Sequence, residues 1–245
     1  MDHLRAVLFD FGGVFTGTPL VAFRDAAAEF GLSPDVMTDL IIGPRDRDGE
    51  HPWHRLERGE IGVSSAVAEI TRLALDVHAI ELDPMKVLIK TPRSSEDRAL
   101  MIDRVRALRG VGLQTAIVTN NFKEIGELWR KAIPVELFDV VIDSSEVGIR
   151  KPDPRIYQLT AQRLNDVDPT QCAFLDDLTE NVAGAQSVGM TGILVGEDKA
   201  TTFEWLDALL AVRRKDTGGV EVHDLPDRNR VDARVDPSGI LQTDH

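Results

Sequence analysis

RAVLFDFGGVFTG, residues 5–17, carries an apolar run straight into an aspartate and then into three glycines, Gly12, Gly13 and Gly17, separated by bulky residues. A core strand has no use for an acid at its end. Asp10 is therefore either a local turn residue or a reactive group held at a strand tip, and the rest of the chain decides between them.

Further short apolar runs read as strands: QTAIVT (114–119), FDVVID (138–143), CAFLD (172–176) and GILV (192–195), alongside AVLFD (6–10). Helix-like segments lie between them. In SEDRALMIDRVRALRG, Ala99, Ile102, Val105 and Leu108 repeat every third residue and paint one helix face; Ser94 or Ser95 caps its start and Gly110 ends it. Strands apolar on both faces, alternating with helices, predict a doubly wound parallel α/β sheet covered on both sides.

Residues 16–93 break this alternation. LVAFRDAAAEFG, SPDVMTDLII, SSAVAEITRLALD and DPMKVLI read as helices, split by the polar loop GPRDRDGEHPWHRLERGE. Placed directly after the first strand, such an insertion sits over that strand's carboxyl end, where it can act as a lid. The expected organisation is an α/β core over 1–15 and 94–215, an α-helical cap over 16–93, and an acidic, flexible tail over 216–245. No second catalytic domain is expected in the short span after Gly196.

At 245 residues the chain can bury a substantial core without a metal or disulfide framework. Cys172 is its only cysteine and stands in an apolar setting, as a small buried hydrophobe would. With 41 acidic against 28 basic residues the net charge is −13, which argues against gripping nucleic acid or anionic membranes. MDHLRAVLFDF shows no basic segment followed by a long apolar stretch, and nowhere do eighteen apolar residues run together. The expectation is an unexported, cytoplasmic protein. An anionic small molecule stays open as a partner, because a pocket's local field can oppose the global one.

In a parallel α/β sheet ligands gather beyond the carboxyl ends of the strands. Asp10 closes the first strand, Thr119 closes TAIVT, Asp176 and Asp177 close CAFLDD, and Lys151 lies in the loop GIRKPDP after the third strand. One carboxylate can attack phosphorus while an acidic pair holds a hard divalent cation through oxygen. A hydroxyl and an ammonium can bind the remaining phosphoryl oxygens. Each signal alone is more often a turn, a cap or a solvated loop; their order and spacing raise the reading.

LFDFGGV, IVTNN, RKPDP and FLDDLTENVAGAQSVGM stand in the order found in haloacid dehalogenase-like (HAD-like) hydrolases, and the chain resembles that superfamily over residues 4–15 and 94–196. The wording is similar to the phosphatase-like N-terminal domains of bifunctional epoxide hydrolases and to domains found beside acyl-CoA dehydrogenases. The resemblance implies a Rossmann-type core, Asp10 as nucleophile, Thr119 and Asn120 in the phosphoryl pocket, and Lys151 offsetting charge. It implies Mg²⁺ held by the Asp10 carboxylate, the Gly12 carbonyl and the pair Asp176 and Asp177, with Asp177 the direct ligand. The backbone at Gly12 and Gly13 would approach metal and phosphate closely. Asn181 would cap or orient the last motif. The implied activity is hydrolysis of a small phosphate monoester through an aspartyl phosphate.

One position departs from the pattern. Family phosphatases usually carry an aspartate two residues after the nucleophile, where this chain has Gly12. Three explanations stay open: a substrate with a good leaving group, an acid supplied by the lid (His51, His54 or Glu57, with Trp53 as packing anchor or pocket wall), or a module that binds phosphate compounds without turning them over. Metal-free dehalogenation ranks last, because dehalogenases lack the acidic pair. Oligomeric state stays open; an apolar face of Val67, Ile70, Leu73 and Leu75 on the lid suits a core or a partner.

Overall fold

The computed structural model describes residues 4–196 together with Lys199, residues 202–204, Leu206 and Asp207. The tail expected over 216–245 lies outside the described residues. Five strands, β1 (Ala6–Phe9), β2 (Gln114–Thr119), β3 (Val140–Asp143), β4 (Cys172–Asp176) and β5 (Thr191–Leu194), form one sheet in the order β3-β2-β1-β4-β5. All pairings are parallel. The strands fall where the sequence places them, with ends shifted by one or two residues, as fraying ends do.

β1 is central. Ala6 pairs with Gln114 on one side and Cys172 on the other, so both backbone edges of the strand are satisfied. Its side chains alternate between two cores. Val7 and Phe9 pack with Met101, Val105 and Leu108 of α6 (Ser95–Gly110) and Trp129 of α7 (Gly126–Arg130). Ala6 and Leu8 pack with Ile156 and Tyr157 of α9 (Pro154–Arg163) and Ala185 of α10 (Thr179–Ser187). A short α8 (Ser144–Val147) follows β3. On α6 the buried positions are Met101, Val105 and Leu108, and Ala99 is exposed. That face follows the four-then-three spacing of an α-helix rather than every third residue, because 3.6 residues make a turn. Ser94 caps it as expected, its Oγ accepting from the Asp97 amide at 3.2 Å.

The insertion holds five helices: α1 (Pro19–Phe30), α2 (Pro34–Ile42), α3 (Pro52–Glu57), α4 (Val63–His78) and α5 (Pro84–Leu88). Four of them begin on proline, which fixes φ and loses no hydrogen bond at that position. α3 occupies the stretch the sequence reads as a polar loop. It forms because the His51 Nδ1 caps the Trp53 amide at 3.2 Å, and because Trp53 and Leu56 find apolar partners in Ala66, Ile70 and Phe122. Phe122 follows β2, so this cluster fastens the cap to the core. α4 buries Ala66, Ile70 and Ala74, whereas Leu75 is 53% exposed. The expected face is thus rotated: Ile70 is core and Leu75 is surface.

Among the described residues no helix is long and apolar enough to cross a membrane. Cys172 is fully buried, and burial pushes its thiol up to about 12, so it behaves as the small hydrophobe the sequence suggests.

Leu8 sits on the central strand with no exposed surface. Leu8→Ala should cost about 2–5 kcal/mol of unfolding free energy by denaturant titration. A loss below about 1 kcal/mol would mean that this face is not tightly packed.

Candidate active site

The order of the strands reverses direction at β1, and in such sheets the crevice beyond the carboxyl edge at that point takes ligands. Asp10 emerges there from β1. Asp176 ends β4, and Asp177 follows it. The loop between β3 and α9 reaches over with Lys151.

Lys151 is 1% exposed, and its ammonium donates to Asp10 Oδ1 and to Asp176 Oδ2, each at 2.6 Å. Burial works against its charge, but Asp10 and Asp176 outweigh that and hold it above the ordinary lysine range. Asn120 fixes the lysine's backbone: its Oδ1 accepts from the Lys151 amide at 2.8 Å and its Nδ2 donates to the Lys151 carbonyl at 3.0 Å. Asn120 borders the cavity, but both ends of its amide serve the loop.

Asp176 is fully buried and committed. Besides Lys151 it accepts from Asn181 Nδ2 at 3.0 and 3.1 Å and from the Leu178 amide at 2.9 Å. Asn181, from the first turn of α10, therefore orients the motif. Tyr157 supports it from below, its hydroxyl donating to the Asn181 carbonyl at 2.7 Å.

Asp177 is different. Its Oδ2 is buried with no hydrogen-bond partner among the described residues, and single oxygens from Asp10, Asp176 and Asp177 lie within 4.8 Å of one another. Three carboxylates facing one ammonium leave an excess of two negative charges if all are ionised, and buried excess charge is costly. Burial, with Lys151 opposing and Asp176 adding to it, raises Asp10 to about 7. Burial, then Asp176 and Asp10, raise Asp177 to about 8. Hard oxygen donors, an orphaned carboxylate oxygen and an excess of two charges fit a divalent cation such as Mg²⁺. Asp10 and Asp177 would hold it, with the Gly12 carbonyl.

Gly13 serves this arrangement. Its φ is +68°, and a Cβ there would fall 2.1 Å from the Asp177 carboxyl carbon. Only glycine lets the chain pass so close to that acid.

Asp10, Gly12, Asn120, Lys151, Asp177 and Asn181 border one cavity of about 150 Å³. Thr119, Asp176 and Gly13 do not: Thr119 is 2% exposed at the end of β2 and pairs with Asp143, and Gly13 lines a second cavity that shares Asp177. The cap contributes an apolar wall of Leu20, Phe23, Ile42, Trp53 and Leu88 and a cation, Arg45. Arg150 also lines the cavity and binds the cap through Glu57, its Nε donating to Oε2 at 2.7 Å. The sequence reading passed over Arg150; its one signal was adjacency to Lys151. Of the lid candidates, Glu57 and Trp53 reach the cavity wall. His51 and His54 do not: His54 is 1% exposed inside the cap, and burial lowers the two rings to about 4 and about 3.

A capped, doubly wound α/β enzyme with an acidic, cation-fitting centre is the class that this fold and site define. Residues 4–189 match the family of haloacid dehalogenase-like hydrolases, and the chain belongs to that family. It is a hydrolase with phosphatases among its relatives. It is 34% identical to mouse acyl-CoA dehydrogenase family member 10 over 84% of this chain and 19% of that protein, and 30% identical to mouse bifunctional epoxide hydrolase 2 over 78% and 36%. The chain thus spans about a fifth and about a third of those two proteins. A sesquiterpene phosphatase of Aspergillus oryzae aligns along almost its whole length, at 27% identity over 82% of this chain and 94% of the relative. Among solved structures, a HAD-like hydrolase of Porphyromonas gingivalis has a TM-score of 0.59 at 20% identity, covering 83% of this chain and 97% of its own. A dehalogenase has 0.55 at 25%, covering 81% and 87%. A HAD enzyme of Bacteroides thetaiotaomicron, in complex with magnesium and inorganic phosphate, has 0.51 at 19%, covering 82% and 99%.

The raised carboxylates predict how the metal-free protein responds to pH. Between the ordinary 3.8 and about 8, the folded chain holds protons on Asp10 and Asp177 that the unfolded chain releases. Stability therefore falls as pH rises through that window. In chelator the melting temperature should drop from pH 5 to pH 8. Mg²⁺ should raise it, more at pH 8 than at pH 6, and Asp177→Asn should remove the Mg²⁺ effect. A Mg²⁺ shift that shrinks with rising pH would contradict this assignment of the centre.

Proposed function

We propose that the chain is a Mg²⁺-dependent phosphomonoesterase acting on a small organic phosphate through an aspartyl phosphate on Asp10. The observation that carries the reading is the buried Asp10–Lys151–Asp176 relay beside the orphaned Asp177 carboxylate. Asp10 Oδ1 is held by Lys151, which points the carboxylate into the cavity. An Asp10 oxygen attacks phosphorus, and the Lys151 ammonium offsets charge on the phosphoryl oxygens as they arrive. Bound Mg²⁺ would supply the charge neutralisation that lets two anions approach. Asp176 and Asn181 keep the lysine and the last motif in register, and Asn120 keeps the lysine's loop in place. Thr119, buried at the tip of β2, is assigned the phosphoryl contact by family resemblance.

A cavity of about 150 Å³ is smaller than the usual ligand cleft of ~300–1,000 Å³, which suits a small substrate. Its organic part would lie against the apolar cap wall, and Arg45 and Arg150 would draw anions into an otherwise acidic protein. Metal-free dehalogenation would gain nothing from an acidic cluster of this charge.

Phosphate release from 4-nitrophenyl phosphate should require Mg²⁺ and fall to background in Asp10→Asn. Lys151→Met should lower kcat/KM by about 10²–10³-fold, the usual cost of removing one preorganised charge-stabilising donor. Turnover that survives chelator or the loss of Asp10 would rule the mechanism out. Mg²⁺ and phosphate compounds that stabilise the folded protein without being turned over would instead mark it as a binding module.

A further inference from the structure

Gly12 and Gly13 look alike in the sequence, yet the backbone requires only one of them. Gly13 is left-handed and pressed against Asp177. Gly12 has no left-handed φ, and a Cβ there would meet a single neighbour, Asp10 Oδ2, at an ordinary 3.5 Å. A side chain could start from this position beside the nucleophile, and none does. The backbone and the space for a Cβ therefore do not demand a glycine here.

No other described residue on the cavity wall is free to protonate a departing oxygen. Lys151 is engaged by Asp10 and Asp176, and Asp177 belongs to the cation site. Glu57, the one acid the cap brings to the wall, accepts on both oxygens, from Trp53 Nε1 at 2.8 Å and from Arg150 Nε at 2.7 Å. Arg45 and Arg150 keep their protons near neutral pH. His51 and His54 are held inside the cap, off the wall.

We infer that this enzyme is selective for phosphate compounds whose organic part leaves as a weakly basic anion: acyl, aryl or anomeric phosphates, and not simple alkyl phosphates. The inference rests on the phosphomonoesterase reading and resolves the question Gly12 raises. An Asp10 oxygen bonds to phosphorus as the bond to the organic oxygen breaks. The electron pair stays on that oxygen, which departs without taking a proton. Water then bonds to phosphorus, the Asp10–phosphorus bond breaks, the carboxylate is regenerated, and both protons of the water remain with the released phosphate.

The test compares kcat/KM for acetyl phosphate, 4-nitrophenyl phosphate, phenyl phosphate and propyl phosphate, using the full chain with Mg²⁺, as wild type, Gly12→Asp, Gly12→Ala and Asp10→Asn. General acid catalysis is worth about 10²–10⁴-fold. Wild-type kcat/KM should fall steeply along the series, with propyl phosphate more than about 10²-fold below 4-nitrophenyl phosphate. Gly12→Asp should raise the propyl-to-nitrophenyl ratio by about 10²-fold, and Gly12→Ala should not. Intact-mass analysis should find a phosphoryl adduct after mixing with acetyl phosphate, absent with propyl phosphate and absent in Asp10→Asn. If Gly12→Asp does not fold, the wild-type series decides alone. Asp10-dependent turnover of propyl phosphate within about tenfold of 4-nitrophenyl phosphate would overturn the inference and leave the phosphatase reading standing. Absence of Asp10-dependent turnover across the whole series would overturn both.

Discussion

Everything at the carboxyl edge of the sheet depends on one buried ammonium. Lys151 holds Asp10 and Asp176 at equal distances of 2.6 Å, and each of the three groups is almost wholly removed from water. Breaking such a set by removing one partner leaves buried charge uncompensated, at a cost of roughly 3–5 kcal/mol. The surrounding structure is arranged so that it does not break. Asn120 clamps the lysine's backbone, Asn181 and the Leu178 amide fill the remaining positions on Asp176, and Tyr157 steadies Asn181. These residues come from β1, β2, β4, α9, α10 and the loop after β3, so the site exists only when the sheet is assembled.

The same geometry separates two aspartates that are neighbours in the chain. Asp176 faces inward and is saturated with donors; Asp177 faces the cavity with an oxygen that no described residue satisfies. One acid is held in place, and the other is the one whose oxygen fits a cation. The cap closes over this centre through contacts of different character. Phe122 packs with Trp53 and Leu56 by burial of apolar surface, while Arg150 and Glu57 form an ion pair with almost no exposed surface. Glu57 thereby spends its proton-accepting oxygens on architecture. The cap shapes the cavity, and the carboxylate cluster lies in the core.

The fold was largely legible because a parallel sheet leaves a strong trace: short runs apolar on both faces, all but the last ending in a polar residue. α3 was missed because its stretch is rich in charge and holds glycine and proline. It becomes a helix only when His51 caps it and Trp53 reaches the apolar cluster. The faces expected on α6 and α4 each include one residue that stays outside, since Ala99 and Leu75 look as apolar as their buried neighbours until packing decides which side meets the sheet or the rest of the cap. The histidines were attractive as acids on composition alone, and burial inside the cap removes them.

By itself the sequence determined the order of the elements, the set of candidate site residues and the absence of a carboxylate at Gly12, because these follow from residue type and spacing along one chain. Only the tertiary structure decided which acid is satisfied and which is not, that Gly13 is demanded by its neighbour while Gly12 is free, and that Arg150 and Glu57 are joined across the cleft. Those facts depend on distances between residues as far apart as Glu57 and Arg150, and such distances are fixed when the sheet and the cap pack, not when the chain is written.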